Sequence, residues 1–236
     1  MGIEIIPSKE RGETSISWLK SRHSFSFGGY HNPSRMGFGK LRVLNDDIVA
    51  AGKGFGSHPH NNMEIVTIVL LGALEHKDSS GGHGIMKKGD VQHMSAGSGV
   101  VHSEFNHSKE HPSHFLQVWV EPKEANITPN YNQKSFSLSQ RKNRLLPIVL
   151  GKKSKDSLYM HQDGGFFWGD IDAGKQIVHT LEKKSHGAYV FLIFGEIEIG
   201  GKTLTAGDAA QIDGIASFSI KASMPSDVLV IEIPLT

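Results

Sequence analysis

Apolar residues fall in short runs separated by Gly, Asp, Asn and Ser, and no amphipathic stretch of 3.6-residue period is long enough to make a packed helix. In the first half, residues 39–44, 64–70, 74–77, 90–95 and 114–120 read as strands. In the second half, residues 189–194, 196–199, 202–205, 218–222 and 228–233 repeat the style, and Gly200-Gly201 supplies the positive φ that a two-residue hairpin turn needs. Helical signals are few. Residues 15–20 read as one or two helical turns, and the polar, basic residues 135–144 as an exposed connector. Pro122, Pro129 and the polar stretch after Tyr131 place a linker within residues 125–150, which divides the chain into units 1–130 and 131–236. The expectation is an all-β protein of two sandwich-like units with few short helices.

Composition narrows the chemistry. The 236 residues include 27 glycines, which suits many tight turns. There is no cysteine, so disulfides, zinc ribbons, iron–sulfur clusters and thiol nucleophiles are excluded, and any metal must sit on nitrogen and oxygen. A formal charge of +1 gives no electrostatic reason to expect a nucleic-acid or anionic-membrane partner. The first residues lack the basic and apolar regions of a signal peptide, and no apolar run approaches the ~20 residues of a membrane span, so a soluble cytoplasmic protein is expected.

Histidine is the outlier: nine of the 14 lie between residues 58 and 114. Two pairs stand out, His58-Pro59-His60 and His102-Ser103-Glu104. On a strand, residues i and i+2 share a face, so each pair can aim two ligands at one point. Three imidazoles and one carboxylate suit a borderline divalent ion and leave two positions of an octahedron open. The run Gly52-Lys53-Gly54-Phe55-Gly56 lacks the spacing and following helix of a dinucleotide fingerprint and reads instead as a bend allowing close approach of the backbone. No G-x-S-x-G nucleophile elbow is present. His76, His83, His107, His111 and His114 are assigned to turns, surface or core, and His93 is left open between an inward and an exposed position.

The segment from Gly52 through His58 and His60 to Glu64, followed by Gly89, Gly97, His102 and Asn106, resembles the two motifs of the cupin superfamily. It departs from them at Ser95, where proline is usual, and in two longer spacings, Glu64 to Gly72 and Gly97 to His102. The stretches His23-Ser24-Phe25-Ser26-Phe27, Met36-Gly37-Phe38-Gly39, Leu41-Arg42-Val43-Leu44-Asn45-Asp46-Asp47 and Met94-Ser95-Ala96-Gly97-Ser98-Gly99-Val100-Val101-His102-Ser103-Glu104 are similar to the pirin family. In the second half the likeness rests on Met160-His161-Gln162-Asp163 and the strand pattern.

That resemblance implies a bicupin, two jelly-roll β-sandwich barrels packed face to face, with one metal in the N-terminal barrel. It implies His58, His60, His102 and Glu104 as ligands, with Glu64 outside the set, orienting a ligand or holding its strand. The C-terminal unit, with His179 and His186 but no His-x-His or His-x-Glu, is expected to be metal-free. The implied ion is Fe(II), with Ni, Mn, Cu, Co or Zn as alternatives. The implied activity is that of quercetin 2,3-dioxygenases: a flavonol and O2 react, the ring opens with loss of CO, and Glu104 accepts the 3-hydroxyl proton. A monomer is expected. The rival expectation is a non-enzymatic, metal-loaded redox sensor that regulates a protein partner, although the chain shows no helix-turn-helix, basic stripe or heptad seam to support it.

Overall fold

The computed structural model describes residues 2–236. They form two seven-stranded and two four-stranded antiparallel sheets, apart from one short parallel pairing. In the first half, Asp90–Ser95, Glu64–Leu71, Ser113–Val120, Leu41–Val49, Leu19–His23 and Gly12–Ser15 lie side by side in the large sheet. It faces a small sheet of Gly54–His60, Val100–Asn106, Ala73–Asp78 and His83–Lys87. The second half repeats the plan, with His186–Phe194, Ser226–Pro234 and Gly165–Ile171 central in its large sheet.

Side-chain alternation along these strands sorts them between two environments. On Ser226–Pro234, Leu229, Ile231 and Ile233 enter the largest apolar cluster, whereas Val228 and Val230 fill the C-terminal barrel. Val66, Ile68, Leu116 and Val118 of the first large sheet enter the same cluster as Phe166, Trp168, Tyr189 and Phe191 of the second. The large sheets therefore pack face to face through a shared core. The opposite positions line two separate barrels.

Strand exchange ties the halves together. Gly2–Ile6 pairs with Ala209–Asp213 of the second large sheet, and Asn130–Ser135, given to the second unit on sequence, pairs with Asp90–Ser95 of the first. Buried Arg11 adds a polar tie, donating from Nη2 to the Arg22 carbonyl at 2.9 Å and from Nη1 to the Gly207 carbonyl at 3.4 Å.

Three local expectations change. Residues 15–20 are not helical: Gly12–Ser15 and Leu19–His23 form a hairpin, because Leu19, Ser21 and His23 alternate inward. The strand expected at 39–44 is Leu41–Val49; its polar second half pairs fully with Ser113–Val120. Residues 135–144 contain the single-turn helix Leu138–Arg141, where Gln140 Oε1 accepts the Ser137 N–H at 2.8 Å. Its Arg141 is buried rather than exposed, 3.8 Å from the centre of the Trp168 ring and paired with Asp170 and Asp227.

The C-terminal barrel holds a buried carboxylate between two imidazoles. Glu232 accepts from His179 Nε2 at 3.1 Å, His186 Nδ1 at 2.8 Å and the Glu182 N–H at 2.8 Å. Despite its burial, these bonds hold the Glu232 carboxyl below its usual range. Replacing one partner of such a set costs about 3–5 kcal/mol. Glu232→Gln is expected to lose that much in urea unfolding at pH 7. Because the folded value is depressed, the difference from wild type is present above the ordinary carboxylate pKa and disappears as pH falls through the folded one.

Candidate metal centre

Two neighbouring strands of the small N-terminal sheet carry the site. Gly54–His60 pairs with Val100–Asn106 so that His58 stands opposite His102, with a register shift between His102 and Glu104. The shift brings the backbones very close at Gly54, where a Cβ would lie 2.2 Å from the Glu104 carbonyl oxygen, so glycine is required there. Along Val100–Asn106, the residues Val100, His102, Glu104 and Asn106 are buried and point into the barrel.

The three predicted histidines converge. Ring centres lie 4.4 Å apart for His58 and His102, and 4.8 Å apart for the other two pairs. His58 Nδ1 donates to the Gly56 carbonyl at 2.7 Å, which leaves its Nε2 as the lone-pair nitrogen. A second chain sets His102. His76 Nε2 donates to Asp78 Oδ2 at 2.8 Å, and His76 Nδ1, which also faces the Gln92 amide at 3.4 Å, lies 3.4 Å from His102 Nδ1. His102 Nε2 and His58 Nε2 lie 3.0 Å apart. A proton on one of them joins the pair by a hydrogen bond. With neither protonated, the two nitrogens offer a divalent cation adjacent donors.

Burial keeps the His60 and His102 rings neutral. Desolvation first, and then the neighbouring His58, lowers the His60 pKa to about 4. Desolvation together with His58, His60 and His76 lowers that of His102 to about 2. His60 also packs edge-on against Trp119, with ring centres 4.8 Å apart.

Glu104 is buried beside them and oriented by polar neighbours: Gln117 Nε2 donates to Oε2 at 2.7 Å, and the Thr67 hydroxyl lies 3.5 Å from Oε1. Burial, reinforced by the nearby Asp47 carboxyl, raises its pKa to about 7. Among the described residues, two overlapping groups have ligand atoms within 4.8 Å of one another: His58, His60 and His102, and His76, His102 and Glu104. All four residues singled out on sequence thus meet in one region, with His102 shared between the groups. His76, assigned by default to a structural role, joins them. Its signal was His76-x-Asp78 on an inward-facing strand whose register sets His76 opposite Glu104.

Glu64 lies elsewhere. It shares strand parity with Val66 and Ile68, so it faces the second unit rather than the barrel. There it accepts from His93 Nε2 at 2.7 Å, Ser95 Oγ at 3.0 Å and the His161 N–H at 2.9 Å, holding the second half of the chain. His93, left open on sequence, is fully buried.

Two cavities adjoin the cluster. An outer one of about 480 Å³ is lined by His60, Met63, Val100, Val101 and Trp119 among others. An inner one of about 60 Å³ is lined by His58, Asp47, Glu104 and Gln117 with several apolar residues.

Two jelly-roll units packed through their large sheets, with a histidine cluster inside one barrel, define a bicupin. Residues 6–120 match the family model described as Pirin, and residues 148–233 match that described as Quercetinase C-terminal cupin domain. The chain is 39% identical over 228 residues to the quercetin 2,3-dioxygenase of Escherichia coli K12, covering 96% of each. Among solved structures it is similar to YhhW from Escherichia coli, with a TM-score of 0.94, 36% identity and coverage of 99% of this chain and 98% of that one. The bacterial pirin YhhW in complex with nickel(II) gives a TM-score of 0.93, 36% identity and coverage of 99% and 100%. The chain belongs to the pirin family.

The depressed values predict that in metal-free protein the His60 and His102 rings stay neutral at pH 5.5. Histidine ring chemical shifts followed from pH 8 to 5 check this. Because both folded values lie below the ordinary histidine pKa, both rings stabilise the fold above that pKa and the contribution is lost on acidification.

Proposed function

We propose that this pirin is a metal-dependent dioxygenase that opens the ring of a flavonol such as quercetin with O2 and loss of CO, its ion held by His58, His60, His102 and Glu104. The observation that carries the reading is the convergence of His58, His60 and His102, with His58 Nε2 and His102 Nε2 3.0 Å apart, in a barrel whose burial lowers the pKa of His60 and His102. The names of its relatives, quercetin 2,3-dioxygenase and a pirin in complex with nickel(II), support both substrate and metal. The donor set accepts Fe(II), Ni, Mn, Cu, Co or Zn, and Fe(II) is the ion that the family resemblance implies.

When bound, the ion supplies positive charge that lowers the pKa of the substrate hydroxyl and holds it in place. The protein does the rest. Asp78 and His76 fix the orientation of His102, and the Gly56 carbonyl fixes that of His58. The outer cavity is within the usual size range for a ligand site, and Met63, Val100 and Trp119 give it apolar walls for a ring system. The hydroxyl proton passes to a carboxylate lining the inner cavity, which both Glu104 and Asp47 do.

Metal-loaded protein mixed with quercetin in air is expected to bleach the flavonol band and release CO. Persistence of the band with Fe, Ni, Mn and Cu each tested rejects the dioxygenase reading. His58→Ala is expected to lose its metal on dialysis, and stoichiometric metal retained in that variant overturns the ligand set.

Metal uptake should also depend on pH. Glu104 must ionise to bind, and burial has raised its pKa to about 7, so protons compete with the ion below that value. Affinity is expected to rise at least about tenfold per pH unit from 5.5 to 7 and to flatten above, measured by calorimetric titration with Ni(II).

A further inference from the structure

The inner cavity contains a carboxyl outside the four-ligand set. Asp47 lies on Leu41–Val49, 3% exposed, at an inward position shared with Val43, Asn45 and Val49. The Ser21 hydroxyl bonds to this carboxyl, yet its Oδ1 has no hydrogen-bond partner. A buried oxygen without a partner is uncommon, because lost hydration goes uncompensated. Its neighbours are engaged. Asn45 Oδ1 bonds to His23 Nδ1 at 2.8 Å, Gln117 Nε2 to Glu104 at 2.7 Å, and Gln117 Oε1 accepts the Thr67 hydroxyl at 3.1 Å. A hydroxyl entering this cavity meets one unengaged carboxyl oxygen, that of Asp47.

Glu104 is poorly suited to take the proton. As a ligand its charge is committed to the ion, and Gln117 Nε2 holds its Oε2 in place. We propose that Asp47, on the inner cavity wall, accepts the proton of the substrate's reacting hydroxyl, while Glu104 serves as ligand only. This rests on the flavonol reading above. The 3-hydroxyl O–H bond breaks, an O–H bond forms on Asp47, and the electron pair stays on the substrate oxygen. After O2 is incorporated and CO leaves, the proton returns to the carboxylate of the ester product. The cavity, about 60 Å³, admits the hydroxyl-bearing edge and not the whole flavonol. The ring system extends into the outer cavity past Trp119, which lines both cavities.

The test is the absorption spectrum of quercetin bound anaerobically to metal-loaded protein. Wild type is expected to show the long-wavelength flavonolate band. Asp47→Asn keeps the shape but accepts no proton; it is expected to keep its metal, bind quercetin within a few-fold of wild type, show the neutral band and lose about 100-fold in kcat. An Asn variant that keeps both the flavonolate band and wild-type kcat overturns the assignment. Asp47→Ala gives a second reading: its preference for flavonol over flavone, which lacks the 3-hydroxyl, is expected to fall by about tenfold. An unchanged preference again overturns the assignment. Failure of wild type to bind or bleach quercetin defeats the flavonol reading itself. Wild-type turnover matched by Asp47→Asn defeats only the role of Asp47.

Discussion

The two-residue alternation of the strands is the constraint on which everything else in this molecule depends. Each strand of a large sheet must satisfy two interiors at once, the shared core on one face and its own barrel on the other. Glu64-Ile65-Val66-Thr67-Ile68-Val69 shows the sorting. Val66 and Ile68 go to the shared core, Ile65 and Val69 to clusters on the other side, and Thr67 bonds to Gln117 near the site. A slip of one residue would exchange the apolar wall for the polar one. The same parity rule explains why Glu64 lies outside the histidine cluster: it belongs to the face that meets the second unit.

The two barrels resolve their buried polar groups differently. In the C-terminal unit, Glu232 is enclosed by two imidazoles and a backbone N–H, so opposite partners are already matched within the protein. In the N-terminal unit the corresponding interior gathers imidazoles whose nitrogens face one another and the Asp47 carboxyl, whose Oδ1 is unpaired. The first arrangement is closed. The second has capacity left for a positive charge from outside, which accounts for related barrels packed back to back doing different work.

Much of this was legible in the sequence because strand period and short-range pairs are local. The bounds of Glu196–Ile199 and Lys202–Thr205 follow directly from their alternation and from Gly200-Gly201 between them. The pairs His58/His60 and His102/Glu104 are legible because each shares a strand face, and the convergence of the three histidines follows from the pairing of the two strands. His76 was missed because it is a single histidine whose relevance comes from register with another strand. The inward position of Asp47 is not legible because the strand expected at 39–44 stops short of it, whereas Leu41–Val49 carries Asn45 and Asp47 on its barrel face. The exchange of Gly2–Ile6 and Asn130–Ser135 between units depends on contacts far apart in sequence, which no local pattern records. Residues 15–20 were taken for a helix because a tight hairpin and a helical turn differ little over so few residues.

Protons and a cation compete for the same interior, and this links metal binding to the fold. In the metal-free barrel burial favours neutral groups, so His60 and His102 shed their protons while Glu104 and Asp47 hold theirs up to about pH 7. On the proposed ligand set, a divalent ion would favour the ionised form of Glu104, while His60 and His102 need no deprotonation. Asp47 feels the change indirectly: an ionised Glu104 nearby raises the cost of its own charge, and the ion lowers it. In the metal-free barrel the Asp47 carboxyl, outside the proposed ligand set, is raised by burial to about 7, close to balance between its two protonation states at neutral pH. That balance is what a group must have if it is to take a proton from a substrate and later give it back.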